Sequence, residues 1–175
     1  MLKQMLFAAT IGLLMNSSAG AHVTLEQGEA PVGATYKAVF RIAHGCNGKP
    51  TNVVRLRIPE GVIAVKPMPK PGWTLEKVTG AYAKAYDSHG KSVTEGVTEV
   101  TWKGGELADD EYDEFVLRAM VTPDLPIGGT IYFPIVQECE SDAERWIEIP
   151  AEGQTGHNLE MPAPSLKLLG HIAGH

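Results

Sequence analysis

The sequence predicts an all-β protein, a single β-sandwich behind a short export signal. Two features carry that expectation. Apolar residues recur with period two in runs of five to nine, the signature of half-buried strands. Turn clusters separate those runs, in a chain with 19 glycines and 12 prolines, and no stretch after residue 21 shows a convincing amphipathic-helix pattern.

Residues 1–21 read as an export signal. Lys3 gives a positive start, Met5 to Met15 is an uncharged apolar run, and Ala19 and Ala21 occupy the −3 and −1 positions of a small-residue cleavage site. The run is too short for the ~20-residue helix that crosses a bilayer. Cleavage after Ala21 makes His22 the first residue, whereas cleavage after Gly20, with Ser18 at −3, leaves Ala21 first. The mature chain is then 22–175, expected as one domain over 22–168 with a flexible His-containing tail over 169–175. With Lys3 removed, 14 basic residues stand against 21 acidic ones, a net charge of −7. That balance argues against nucleic acid or anionic membrane surfaces as partners. No second apolar run approaches membrane length, so no span is expected in the mature chain.

The strands follow in order. Thr35 to Ala43 sets Tyr36, Phe40 and Ile42 against Lys37 and Arg41. Asn52 to Ile58 sets Val54, Leu56 and Ile58 against Arg55 and Arg57. Trp73 to Thr79, Ala81 to Tyr86 and Val97 to Trp102 are three more candidates, with a turn signal at Asp87-Ser88-His89-Gly90. Asp113 to Val121 places Phe115, Leu117, Ala119 and Val121 on one face. Thr130 to Glu138 and Arg145 to Ile149 complete about nine short strands. Lys66 to Gly72 carries three prolines and reads as an exposed loop, as does Thr122 to Gly129. From Ala151 onward the chain reads as an irregular strap.

Two cysteines in an exported chain, Cys46 and Cys139, imply one disulfide. The bridge would bring the ends of two strands within ~6 Å at Cα. It would also draw in His44, two residues from Cys46. Glu140 to Ala143 reads as a hairpin turn, so the following strand returns past Cys139. On that strand Ile147 and Ile149 share one face, Trp146 and Glu148 the other. If the isoleucines enter the core, Trp146 points away from it. An outward indole is then either covered by a loop or the strap, or serves as the wall of a site.

His22 and His44 are the candidate metal ligands. An N-terminal histidine offers its α-amine and its ring Nδ1 to one ion. A second imidazole completes three nitrogens in a T-shape, which suits tetragonal Cu(II). Against this, His44 could be a solvated side chain and His22 an accident of cleavage. His89 reads as a turn residue. His157, His171 and His175 lie with Met161 in a region whose spacing is too loose for a defined site. Cys139, His157 and Met161 are too spread out for a blue-copper centre. No nucleophile elbow, phosphate-binding glycine loop or CxxC pair is present, and Asp109-Asp110 and Glu138/Glu140 read as solvated turns.

The runs AHVTLEQGEAPVGATYKAVFRIAHGCNGKPTNVVRLRIPEGV, KPGW, FPIVQECESDAERWIEIPAEG and PAPSLKL, in that order over 22–168, resemble the YcnI-like proteins of bacteria. The resemblance implies a secreted copper-binding β-sandwich, cupredoxin-like or immunoglobulin-like in shape. It also implies a histidine brace at His22 and a neighbouring tryptophan at Trp146. Members of that family tend to be encoded beside membrane copper importers and periplasmic copper chaperones, which makes these the expected partners. One form of the family has a single histidine, with a carboxylate at the end of the second strand. Here Ala43-His44-Gly45-Cys46 offers none, so the chain resembles a two-histidine variant in which Glu26, Glu138 or water is left as a further ligand.

The expected function is therefore non-enzymatic: a periplasmic or secreted Cu(II)-binding protein for copper delivery, uptake or homeostasis. Two alternatives stand beside it. One is a copper-dependent polysaccharide monooxygenase, disfavoured because only 7% of the residues are aromatic and few could form a flat substrate face. The other is a metal-free, partner-binding sandwich.

Overall fold

Alternation decides which side of each strand is buried, and the computed structural model shows this for residues 22–154 and 156–170, the residues it describes. Residues 1–21, expected as an export signal, and His171, His175 and the side chain of His157 lie outside them. Twelve strands appear among the described residues: β1 (Thr24–Leu25), β2 (Glu29–Pro31), β3 (Thr35–Ile42), β4 (Thr51–Arg57), β5 (Val62–Pro67), β6 (Thr74–Ser88), β7 (Lys91–Leu107), β8 (Asp113–Val121), β9 (Thr130–Tyr132), β10 (Ile135–Cys139), β11 (Asp142–Trp146) and β12 (Ser165–Leu169). One 3-10 turn, Gly156–Asn158, interrupts the C-terminal segment. No helix among these residues is long and apolar enough to cross a membrane.

The strands form three sheets. One has the order β1-β3-β8-β5, the second β11-β10-β4-β7-β6, and the third β2-β12-β9. Their inner faces share one core. Tyr36, Phe40 and Ile42 of β3, Val54 and Leu56 of β4, and Phe115 and Leu117 of β8 are all buried in it, on the faces that alternation selects. Trp102 sits at its centre, fully buried, with its indole N–H donating to the Met68 carbonyl at 3.0 Å.

Several segments depart from the sequence expectation. The region after Ala151 is not wholly irregular. Its Leu166 and Leu168 are fully buried, and β12 pairs parallel with β2 and antiparallel with β9. β12 runs from Ser165 to Leu169. Thr130 to Glu138 is two strands, because the chain crosses from one sheet to another at Phe133-Pro134. The three candidates between Trp73 and Trp102 are one long hairpin, β6 with β7, turning at His89-Gly90. Gly80 and Gly96 lie opposite each other inside it, and the Tyr82 ring covers Gly96 where a Cβ would stand.

Candidate metal centre

β1 and β11 are the end strands of their sheets, and the site lies where these two edges meet. β1 pairs antiparallel with β3, Thr24 opposite Arg41. Extending that register by two residues sets His22 opposite Ala43, next to His44. The chain leaves β3 at Ile42 and makes a tight two-residue turn at Asn47-Gly48, both with positive φ (52° and 81°). Cys46 and Lys49 exchange both main-chain hydrogen bonds across it at 3.0 Å. The close approach requires glycine just before, since a Cβ at Gly45 would collide with the Lys49 carbonyl oxygen.

The expected disulfide is present: Cys46 and Cys139 are bridged, with Cα atoms 5.7 Å apart. Lys49 adds an ion pair to Asp142 at 3.1 Å and a hydrogen bond to Ser141 at 2.9 Å, tying the turn to the β10–β11 hairpin. β10 and β11 then pair with Ile135 opposite Trp146 and Cys139 opposite Asp142.

That register corrects the orientation of Trp146. Trp146 faces the core with Ile135 and is 3% exposed, while Ile147 and Ile149 are 43% and 54% exposed. The expected alternation does not extend past Trp146: Glu148, expected to share its face, is exposed along with Ile147 and Ile149. β11 ends at Trp146, the Ile147 N–H turns back to the Arg145 carbonyl, and the isoleucines leave the sheet edge. The observed strand is Asp142–Trp146, not Arg145 to Ile149, and its hairpin turn is only Glu140-Ser141.

The two imidazoles flank this buried indole. The His22 ring centroid lies 5.7 Å from that of Trp146 and the His44 centroid 6.3 Å, with planes inclined at 58° and 70°. Both histidines are half-buried. The Nδ1 of His44 lies 2.5 Å from the Gly45 carbonyl oxygen. A carbonyl only accepts, so a hydrogen bond here requires the Nδ1–H tautomer, the one that would present Nε2 to an ion.

Gln137, which sequence reasoning missed, stands behind the pair. It is fully buried, and its carboxamide bonds to both the Trp146 indole and the His44 main chain. The available signal was its inward parity with Ile135 and Cys139 in the alternation of β10. Beside His22 opens a groove of about 410 Å³, lined in part by Leu25, Tyr132, Pro150, Pro162 and Pro164.

The two carboxylates considered as further ligands are placed elsewhere. Glu26 is four residues beyond His22, roughly 13 Å along an extended strand, and pairs with Arg41 at 3.0 Å. Glu138 alternates to the face of β10 opposite Gln137 and pairs with Arg55 at 3.1 Å. Among the described residues no three His, Cys, Asp or Glu side chains converge in a metal-holding group. The side chains thus supply two imidazoles. A third nitrogen can come from the main chain, as the α-amine of His22 once the preceding residues are removed. Two imidazoles and an amine make a set that suits Cu(II).

Fold and cluster together define an immunoglobulin-like β-sandwich with two imidazoles set on one buried indole at its edge. The fold is similar to that of an uncharacterized protein from Nocardia farcinica with an immunoglobulin-like fold, at a TM-score of 0.63 and 22% identity, covering 85% of this chain and 98% of that one. The chain belongs to the family described as Domain of unknown function (DUF1775), whose model matches residues 22–168. No curated protein matches it.

Proposed function

We propose that the protein is exported, loses residues 1–21, and binds one Cu(II) through the α-amine and ring of His22 and the imidazole of His44. The observation that carries this reading is the placing of both imidazoles against Trp146. The disulfide supports it, because such bridges persist in oxidising compartments such as the periplasm. The likeness to YcnI-like proteins adds a role in copper delivery, uptake or homeostasis, with a membrane importer or periplasmic chaperone as partner.

The carrier role is favoured over polysaccharide oxidation by the tryptophans. Trp146 and Trp102 are buried, and Trp73 packs its ring over Gly105 and against Phe115. None is laid out as a flat platform for a sugar chain. A buried indole beside the ion instead closes one direction of approach.

The test is a Cu(II) titration of protein beginning at His22, followed by electron paramagnetic resonance. One equivalent should bind with a nitrogen-rich spectrum. His22→Ala and His44→Ala should each change that spectrum, and one extra residue before His22 should remove the amine ligand. Unchanged stoichiometry and spectrum in His22→Ala would refute the brace. Copper-loaded protein given chitin or cellulose, a reductant and peroxide should release no oxidised oligosaccharide. Release that depends on His22 would make it an enzyme.

A further inference from the structure

Gln137 is a fully buried side chain hydrogen-bonded to both His44 and Trp146. Its Nε2 donates to the His44 main-chain oxygen at 2.6 Å and to Thr51 Oγ1 at 2.7 Å. Its Oε1 accepts from the Trp146 indole N–H at 3.2 Å. The chemistry of the partners fixes the amide orientation. An indole N–H can only donate and a carbonyl oxygen can only accept, so a flipped amide would oppose both contacts. Both N–H groups are used and the oxygen has its donor.

The partners come from three separate segments: the connection after β3, strand β4, and strand β11. A buried amide that needed only satisfaction could take its bonds within one hairpin. This one spans the two elements that carry His44 and Trp146. It bonds to His44 at the main chain of that residue itself, so it sets where the imidazole begins. It bonds to Trp146 at the ring, so it sets the surface against which both imidazoles lie. Outer groups that hold metal ligands in place typically change metal affinity about 10–100-fold when they are mutated.

We propose that Gln137 is the positioning residue of the His22–Trp146–His44 cluster, its carboxamide holding the His44 main chain and the Trp146 indole at one fixed setting. The proposal rests on the copper reading for its effect on affinity, but not for its effect on the metal-free protein.

The experiment compares Gln137→Met, which keeps length and loses all three bonds, Gln137→Glu, which keeps shape and the acceptor for Trp146, and Thr51→Val. The last removes a partner of the same amide that lies on β4, a different segment from those carrying His44 and Trp146. In metal-free protein, the indole N–H resonance of Trp146 and the ring resonances of His44 should move in both Gln137 variants and stay in place in Thr51→Val, although all three lose stability. With Cu(II), the Gln137 variants should bind about 10–100-fold more weakly, the range usual for lost outer-shell partners, with altered hyperfine splitting. Thr51→Val should keep the wild-type spectrum. If Gln137→Met does not fold, Gln137→Glu carries the comparison. Wild-type resonances in a folded Gln137 variant overturn the proposal, as does a Thr51→Val that moves them equally. Wild-type protein that binds no Cu(II) overturns the copper reading alone, and the metal-free resonances then decide the role of Gln137.

Discussion

The indole of Trp146 meets the imidazole of His44 edge-on, ring centroids 6.3 Å apart and planes inclined at 70°. An ion held by His44 would therefore lie within quenching range of one particular fluorophore. Adding Cu(II) should quench the emission, and Trp146→Phe should abolish most of that quenching. Trp73 and Trp102 pack on Phe115 instead and serve as internal controls. The substitution should also destabilise the protein by about 1–3 kcal/mol, since Gln137 Oε1 loses its donor in a buried setting. Fluorescence titration and urea unfolding measure the two effects separately.

Gly45 holds His44 in place through the space it leaves empty. Gly45→Ala drives a methyl into the Lys49 carbonyl, and main chain cannot step aside as a flexible side chain can. The turn at Asn47-Gly48 must then open, breaking the Cys46–Lys49 pair. A loss of about 1–3 kcal/mol is expected, the usual scale of overpacking. Copper affinity should fall with it, whereas Gly48→Asn, at an αL position with open space around it, should be far milder.

The Cys46–Cys139 bridge spans 93 residues of sequence. Replacing both cysteines with serine should lower stability by about 2–5 kcal/mol. Part of that loss should appear at the centre, because the bridge lies two residues from His44. The double variant is therefore expected to bind Cu(II) more weakly even where it remains folded. Affinity measured by chelator competition at low temperature checks this, and unchanged affinity would separate the bridge from the site.

The parts of the fold legible in the sequence are those whose partners do not matter. Tyr36, Phe40 and Ile42, or Phe115 to Val121, announce a buried face by period two whichever strand lies beside them. Sign and extent are different. The parity separating Trp146 from Ile147 was readable, but which set faces inward depends on the register of β11 against β10, and on where β11 stops. The candidate strands stop beside Gly80 and Gly96, whose compensation is across the hairpin: Thr98 stands against Gly80 and the Tyr82 ring against Gly96. β12 was lost because Ser165 to Leu169 gains its meaning from β2, more than 130 positions earlier. At the centre, residue chemistry singled out His22, His44 and Trp146. Gln137 drew no notice, because an amide becomes informative only once its three distant partners are known.

The last expectation concerns high pH and the far end of the long hairpin. Between Ala81 and Tyr86 the pairing of β6 with β7 shifts register, so β6 bulges away from its partner. Glu60 catches the bulge: one carboxylate oxygen accepts from the Ala83 main-chain N–H at 3.0 Å and from the Tyr86 hydroxyl at 2.7 Å. Burial, the hydrogen bond to Glu60, and the negative charges of Glu60 and Asp124 push the Tyr86 phenol up to about 12. Tyr36 is likewise pushed up to about 12, by burial and by Glu26. An unfolded phenol releases its proton near ~10. The folded state therefore holds these protons more tightly than the unfolded state. Their contribution to stability is complete below pH ~10 and is lost as the pH rises from there towards about 12. Tyr36 and Tyr86 should accordingly resist ionisation until the fold fails, seen as a late and steep rise in phenolate absorbance, while Tyr82, raised by burial and Glu60, and Tyr112, raised by its hydrogen bond to Glu114, also titrate above the ordinary value. Tyr86→Phe should remove one late phenol and flatten the alkaline fall in melting temperature. Glu60→Gln should bring the remaining Tyr86 transition closer to its ordinary range, because it deletes the charge while sparing the burial. A wild-type titration in which all five phenols ionise together near the ordinary value, with the protein still folded, would refute the account of this anchor.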